Sequence, residues 1–149
     1  MAAARVSLLD VNVLVALFFP DHVHHEIAHD WFADHRHHGW ATCPVTENGL
    51  IRVACQQPSD ELLVRPADVI AHLERFCRDK HHRAWPDAVS LTDAAVFAPQ
   101  FIRGHRQITD VYLLGLAKKM GGQLATFDRT IPVKAVRGGT PELLQLIEP

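Results

Sequence analysis

The chain has 149 residues, of which 48% are hydrophobic and 21% are charged, and its formal net charge is -2 with the histidines neutral. This length suits one domain that buries roughly two thirds of the surface its unfolded chain would expose, and the composition excludes a disordered or low-complexity protein. The net charge gives no global sign of nucleic-acid binding, and three cysteines without a CxxC pair, Cys43, Cys55 and Cys77, indicate reduced thiols in a cytosolic protein.

The first predicted elements lie in an apolar run that a carboxylate interrupts. Residues 6–9 (VSLL) are typical of a buried strand of a parallel sheet, and Asp10 falls at the carboxyl end of that strand. Residues 12–19 continue as a helix that Pro20 breaks. Because Asp10 and Asn12 interrupt the run, and because it is too short to span a bilayer, we expect neither a signal peptide nor a membrane helix.

A second helix is predicted to follow, with Asp21 as its N-cap and its end near residue 38. Its apolar residues recur at helical spacing and would form the buried stripe. They are Val23, Ile27, Ala28, Trp31 and Phe32. Next, residues 40–43 predict a second short strand, and Pro44 and Thr46 begin a helix to residue 56 with Glu47 in its first turn.

The second half of the chain continues the alternation of strands and helices. Pro66 begins a predicted helix over residues 66–79, whose apolar face would consist of Ile70, Leu73, Phe76 and Cys77. Thr109 is the predicted N-cap of a helix over residues 110–120, which places Asp110 at its start. Residues 123–127 predict a strand with Asp128 just after it, and residues 133–136 predict an outer strand.

This succession of elements predicts an α/β fold: a single domain over residues 1–149, with a mainly parallel central sheet and helices on both faces. In such a sheet, strand ends and the helix starts that follow them share one edge, where ligands bind. Asp10 and Asp128 end predicted strands, and Glu47 and Asp110 lie in the first turns of predicted helices, of which one directly follows a predicted strand. The four acids could therefore meet at this edge. Each acid taken alone also has an ordinary explanation, as a turn former or as an acid that the helix dipole favours.

The four acids would repel one another if they meet. Two carboxylates about 5 Å apart repel by roughly 3 kcal/mol at an effective dielectric constant near 20. Such a cluster therefore requires protons or a cation, and oxygen ligands without cysteine or histidine suit Mg²⁺ or Mn²⁺. This hypothesis gives Asp10 a reason to stand inside an apolar run, as a metal ligand at the end of a buried strand.

The residues around these acids carry a resemblance to a known family. The segments LLDVNVLVALF, TENGLIRVA, ITDVYLLGLAKKMGG and LATFDRTI resemble the four acidic motifs of PIN-domain ribonucleases, and most closely those of the VapC toxins of bacterial toxin-antitoxin pairs. All four acids are present in order between residues 10 and 128. The resemblance implies a PIN-like fold and an endoribonuclease dependent on Mg²⁺ or Mn²⁺.

The same resemblance implies partners and site residues. It implies an RNA substrate, a cognate VapB-type antitoxin whose tail occupies the catalytic groove, and a homodimer. It implies an acidic site formed by Asp10, Glu47, Asp110 and Asp128, with Asp10 and Asp110 as metal ligands and Asn12 as a nearby polar helper. In that family the fourth acid is the least constant contributor, so the resemblance supports a role for Asp128 less than for the other three acids.

A competing motif lies in the second predicted helix. Residues 25–29 read HEIAH, which matches the HExxH pattern of zinc peptidases. Seven histidines fall between residues 21 and 38, so such a match arises easily by chance. If Ile27 and Trp31 face the core, His25 and His29 face solvent, whereas zinc ligands of a peptidase must point into a cleft.

We therefore interpret the histidines of this segment as solvent-facing, with at most an incidental affinity for transition metals. The histidines concerned are His22, His24, His25, His35, His37 and His38. A third class of function is a non-catalytic module that pairs with a partner protein, and in that case the four acids would be structural. The presence of all four acids argues against this third interpretation.

Overall fold

A computed structural model of the protein describes residues 4–56 and 64–149. In these residues five parallel strands form one sheet in the order β3-β2-β1-β4-β5. The strands are β1 Ser7–Leu9, β2 Trp40–Thr42, β3 His82–Ala84, β4 Gln123–Thr126 and β5 Leu144–Leu146. The α/β fold with a parallel sheet is therefore confirmed, and β1 lies at its centre.

Helices cover both faces of the sheet, as the alternation of elements predicts. The helices are α1 Val11–Phe18, α2 His25–His35, α3 Pro44–Gln56, α4 Pro66–Phe76 and α5 Ile108–Lys119. The first four contribute to one apolar cluster, which also contains Leu9, Trp40 and Ala125 from the sheet. Helix α5 packs on the opposite face against Leu8 and Leu124. Successive residues of β1, Leu8 and Leu9, thus enter different cores, as the pleat of a strand requires.

The α5 face also receives a long segment without regular structure. Phe97 from that segment is fully buried, and its ring lies directly over Gly115 of α5. Phe97 also makes an isolated antiparallel bridge to Val136. At this contact a single aromatic side chain, in place of another helix, packs directly on α5. Only glycine at position 115 leaves room for the ring.

Two predicted helix starts are wrong. Asp21 does not cap α2, because residues 20–24 form a turn in which the His25 N–H bonds to the His22 carbonyl, so the helix begins at His25. Val23 therefore lies outside the helix and is 84% exposed. Thr109 does not cap α5, because a 3₁₀ turn at His105–Gln107 runs directly into a helix that begins at Ile108.

Other predicted boundaries and faces differ as well. Residues 133–136 do not form an outer strand: Val133–Ala135 is a 3₁₀ turn that follows Pro132, a residue without the N–H that a sheet ladder needs. The edge positions belong instead to β3 and β5, which the sequence patterns miss. On α4, which ends at Phe76, Leu73 is buried as expected, whereas Ile70 is 49% exposed. Among the described residues, no helix is long and apolar enough to cross a membrane.

The close approach of Phe97 to α5 generates a test of the packing. In Gly115→Ala the added methyl group would overlap the Phe97 ring, which is fully buried and has no free space to enter. We expect the free energy of unfolding to fall by roughly 1–3 kcal/mol despite the better helix propensity of alanine. Urea denaturation measures this change. Gly104→Ala is the control, since an added Cβ there meets no atom within 4 Å; equal midpoints for both variants would contradict the packing described.

Candidate active site

The pairing of β1 with β4 positions the first candidate acid. Leu9 of β1 is in register with Ala125 of β4, and the Asp10 N–H donates to the Ala125 carbonyl at 3.0 Å. Asp10 is also the N-cap of α1, because its Oδ1 accepts the Val11 N–H at 2.7 Å. Its side chain is therefore held at the strand-to-helix junction, and the residue is only 4% exposed.

The Thr126 hydroxyl connects three of the predicted polar residues. It donates to Asp10 Oδ2 at 2.7 Å and accepts the Asp128 N–H at 3.1 Å. The Asn12 side-chain amide also approaches this hydroxyl, at 3.4 Å. Thr126 itself is fully buried. One hydroxyl at the end of β4 thus holds Asp10, Asn12 and Asp128 in a common arrangement.

Asp128 also keeps the role of a turn residue. Its Oδ1 accepts the Thr130 N–H at 2.8 Å and the Thr130 hydroxyl at 2.6 Å. The explanation of Asp128 as a turn former is therefore correct. It does not exclude a second role, because both contacts with Thr130 involve the same one of its two carboxylate oxygens.

Asp110 completes a cluster of three carboxylates. It lies in the first turn of α5, and burial, followed by the negative charges of Asp10 and Asp128, raises its pKa to about 6. Burial also raises the pKa of Asp10; hydrogen bonds from Thr126 and Val11 oppose this rise, and the charge of Asp128 adds to it. The three acids are therefore close enough for the charges of some to raise the pKa of others, as expected for carboxylates crowded without a counter-ion.

An open cleft of about 390 Å³ exposes these acids. Its lining residues are Asp10, Val11, Asn12, Val15, His22, Val53, Asp110 and Asp128. Three of the four predicted acids and the predicted polar helper thus border one space. The walls come from α1, α3 and the start of α5, and the floor comes from the carboxyl ends of β1 and β4, the edge where α/β folds bind ligands.

Glu47 lies in the first turn of α3, as predicted, but its carboxylate does not line this cleft. It accepts a hydrogen bond from the Thr42 hydroxyl at 2.6 Å. Burial and then the charge of Glu47 raise the pKa of Cys77 to about 11, and Glu47 also acts on His82. The structure therefore directs Glu47 toward α4 and β3 and away from the three aspartates.

His22 is a cleft residue that the sequence patterns miss. Its Nδ1 accepts the His24 N–H at 3.0 Å, so the ring proton is on Nε2. Burial, with smaller contributions from the charges of His24 and His25, lowers its pKa. The surrounding segment contains seven histidines, and its pattern does not indicate which of them lies at a site. His22 reaches the cleft because residues 20–24 form a turn where the sequence predicts the first part of a helix.

The HExxH histidines do not form a zinc peptidase site. The His25 ring is half-buried, contrary to the expectation of a solvent-facing side chain, and its Nδ1 lies 2.7 Å from the Ala16 carbonyl oxygen. His29 is exposed as expected. Neither ring borders the acidic cleft. A ring nitrogen engaged with the backbone of α1 is a structural contact, which accounts for His25 without a metal.

The donor set of the acidic cleft fits a hard divalent cation. Every candidate ligand atom is an oxygen: the carboxylates of Asp10, Asp110 and Asp128, and Asn12 Oδ1, which is buried without a hydrogen-bond partner among the residues described. Apart from His22, whose Nδ1 is bonded to the His24 N–H, the cleft offers only oxygen ligands. Such sites suit Mg²⁺ or Mn²⁺ better than the softer metals that prefer sulfur and nitrogen. A cation there would also relieve the repulsion that raises the pKa of Asp110.

Comparison with known proteins agrees with this arrangement. Residues 7–136 match the PIN domain. The chain belongs to the PIN domain family. It is 39% identical over 132 residues to Ribonuclease VapC39 of Mycobacterium tuberculosis, covering 89% of this chain and 95% of the relative. It is 40% identical over 138 residues to Ribonuclease VapC44 (93% and 96% covered) and 40% identical over 144 residues to Ribonuclease VapC38 (95% and 100% covered), both of the same organism.

The crowding of carboxylates in this PIN domain predicts a pH dependence of stability. The folded pKa of Asp110, about 6, exceeds its ordinary value of 3.8, so the folded state binds the proton more tightly than the unfolded state. The destabilisation by this group is absent below the unfolded pKa, grows as pH rises through the window, and is complete above the folded pKa. In EDTA we expect Asp110→Asn to gain stability relative to wild type across that window, with a constant difference above it.

Chemical denaturation of both proteins at a series of pH values measures this difference. Asp30→Asn, on the exposed face of α2, is the matched control and should show no such trend. A difference between wild type and Asp110→Asn that stays constant from pH 3.8 to 6 would contradict the raised pKa of Asp110.

Proposed function

We propose that this PIN domain is a metal-dependent endoribonuclease, the toxin of a VapBC toxin-antitoxin pair. The observation that carries this proposal is the convergence of Asp10, Asp110 and Asp128 on one cleft with an oxygen-only donor set. The ribonuclease name of the relatives at about 40% identity supports the same activity. A structural role for the acids does not account for three carboxylates at one open cleft, where burial and the charges of Asp10 and Asp128 raise the pKa of Asp110.

The proposed roles of the residues follow from their positions. Asp10 and Asp110 would be the principal ligands of Mg²⁺ or Mn²⁺, with Asp128 completing the acidic set and Asn12 Oδ1 as a further oxygen. When bound, the cation would neutralise charge on the scissile phosphate and make a water molecule a better nucleophile. Thr126 would orient Asp10 and favour its ionised form by donating a hydrogen bond from its hydroxyl to the carboxylate.

Glu47 remains a proposed member of the acidic site on the resemblance alone. Its helix α3 lines the cleft through Val53, while its carboxylate is bonded to Thr42. We therefore assign it a supporting role, in which it adds negative charge and fixes the start of α3. This role differs from direct contact with the reacting phosphate.

The RNA contacts would be electrostatic at the mouth of the cleft. The loop that leads into α5 carries three exposed residues with basic side chains, Arg103, His105 and Arg106. Such groups hold phosphates of an RNA strand and set its position without reading its sequence. His22, with its proton on Nε2, would offer a hydrogen bond to a phosphate oxygen or to the leaving oxygen.

A VapB-type antitoxin is the proposed protein partner, and its tail would occupy this same cleft. We also propose a homodimer. The surface carries large apolar side chains that are well exposed, among them Val23, Ile70 and Phe101. Such side chains are the usual anchors of protein contacts, which supports partners without selecting which one each side chain meets.

Substitution of single carboxylates tests the site. Asp10→Asn and Asp110→Asn each keep the side-chain shape but remove a charged ligand, so we expect RNA cleavage in Mn²⁺ to fall by roughly 100-fold or more while the fold persists. The measurement is cleavage of total RNA, with EDTA as a second negative control and circular dichroism as the fold check. Asp30→Asn should cleave like wild type, and full activity in Asp10→Asn would remove Asp10 from the site.

A double substitution separates the nuclease from the zinc peptidase. His25→Ala with His29→Ala should leave Mn²⁺-dependent cleavage within about twofold of wild type, because neither ring borders the acidic cleft. RNA cleavage and casein hydrolysis in Zn²⁺ are measured on the same preparations. A zinc-dependent peptidase activity that this double variant loses would favour the HExxH motif over the acidic cleft.

A further inference from the structure

A second group of metal-ligating side chains lies outside the acidic cleft. Glu47, Cys77 and His82 each offer one ligand atom, and the three atoms lie within 4.8 Å of one another. Glu47 comes from the first turn of α3, Cys77 ends α4, and His82 begins β3. All three residues are half-buried, and none borders the acidic cleft.

A single hydroxyl holds these three groups together. Thr42, the fully buried last residue of β2, donates to Glu47 Oε2 at 2.6 Å. The hydroxyl oxygen of Thr42, Oγ1, also lies 2.8 Å from His82 Nε2. A threonine hydroxyl carries one proton, so the carboxylate, the imidazole and the neighbouring thiol are gathered around a single donor. Such a gathering of ligand types is unusual for a place with only a packing role.

We propose that Glu47, Cys77 and His82 form a binding site for a divalent cation of the zinc class, distinct from the oxygen-only site at Asp10. A thiolate, an imidazole and a carboxylate are the ligands that zinc takes in proteins, whereas Mg²⁺ does not select sulfur. Ligand atoms around a tetrahedral zinc ion stand roughly 3.3–3.6 Å apart. The present atoms lie within 4.8 Å of one another, so binding would draw together any pair that is wider than this spacing.

The remaining coordination position would be taken by a water molecule, as in zinc sites with three protein ligands. Thr42 Oγ1 lies 2.6 Å from one ligand atom and 2.8 Å from another, which is hydrogen-bond distance, so this hydroxyl orients the ligands rather than binding the ion. Binding breaks the S–H bond of Cys77, the sulfur keeps the electron pair and bonds to the metal, and the proton passes to solvent. Glu47 and His82 bind as carboxylate and neutral imidazole.

Occupation of this site would join three elements that meet at the β3 edge of the sheet. The ion would connect α3, the end of α4 and β3, and it would hold the Glu47 carboxylate on that side of α3. The inference depends only on the residues around Thr42. It does not require that the acidic cleft cleave RNA, and failure of one proposal leaves the other standing.

Cobalt substitution provides a readout specific to sulfur. The full chain, reduced with a phosphine and kept free of Mg²⁺, is titrated with Co²⁺, and the thiolate-to-cobalt charge-transfer band and the visible bands of a tetrahedral ion are recorded. We expect both bands in wild type, and we expect Zn²⁺, the tighter binder, to bleach them while Mg²⁺ does not. The exposed histidines bind Co²⁺ without a sulfur band, so they do not imitate this signal.

Two variants and two controls locate the signal. Cys77→Ser should abolish the charge-transfer band, and His82→Ala should keep a sulfur signal but weaken Co²⁺ binding by at least roughly tenfold. Cys55→Ser, at another half-buried thiol, and the double variant His25→Ala with His29→Ala should behave like wild type. Circular dichroism and thermal melting show that each variant is folded.

Specific outcomes would overturn the inference. These are the absence of a charge-transfer band in reduced wild type, a band that persists in folded Cys77→Ser, a band lost in Cys55→Ser, and unchanged affinity in folded His82→Ala. If both substitutions at the site prevent folding, Cd²⁺ protection of the Cys77 thiol from alkylation in wild type, read by peptide mass, decides the question: alkylation at an unchanged rate would reject the site.

Discussion

The parallel pairing of β1 with β4 is the constraint on which the rest of the molecule depends. It joins residues that are 116 positions apart in the chain, since the Thr126 hydroxyl at the end of β4 donates a hydrogen bond to Asp10 at the end of β1. The same pairing puts β1 at the centre of the sheet, with apolar clusters on both faces. The buried acids depend on this frame, because β1 is fully buried, β4 is buried except at Gln123, and the hydrogen-bond donors at the ends of both strands are fixed in place.

Two threonines at strand ends organise the polar side chains of the sheet edge in parallel ways. Thr126 gathers oxygen ligands from Asp10, Asn12 and Asp128. Thr42 gathers a carboxylate and an imidazole near a thiol. The two clusters differ in ligand chemistry, and this difference follows from what each strand meets. The end of β4 meets Asp10 and Asn12 at the start of α1, while β2 meets the cysteine and histidine that flank the α4–β3 connection. One edge thus presents one hard and one softer donor set.

The sequence predicts the parts of this structure that depend on local patterns. Buried apolar strands followed by an acid, at Asp10 and Asp128, are recognisable because burial of the strand and the direction of a parallel sheet determine where the acid lies. The direction of the Glu47 side chain is not predictable in this way, because it depends on Thr42, Cys77 and His82. No helical or strand spacing in the sequence relates these residues to Glu47. Likewise, β3 and β5 exist as strands because neighbouring strands offer hydrogen bonds, while their own three-residue segments carry too little pattern.

The long separation of Asp10 and Asp128 along the chain has a consequence for synthesis of the protein on the ribosome. A domain generally folds as a unit during synthesis, and Asp10 is translated well before β4. Until β4 follows, Asp10 has neither the hydroxyl that orients it nor the acid beside Asp110. A nascent chain therefore carries an incomplete cleft until Thr126 and Asp128 have been translated, and the proposed nuclease has no assembled acidic site before that point.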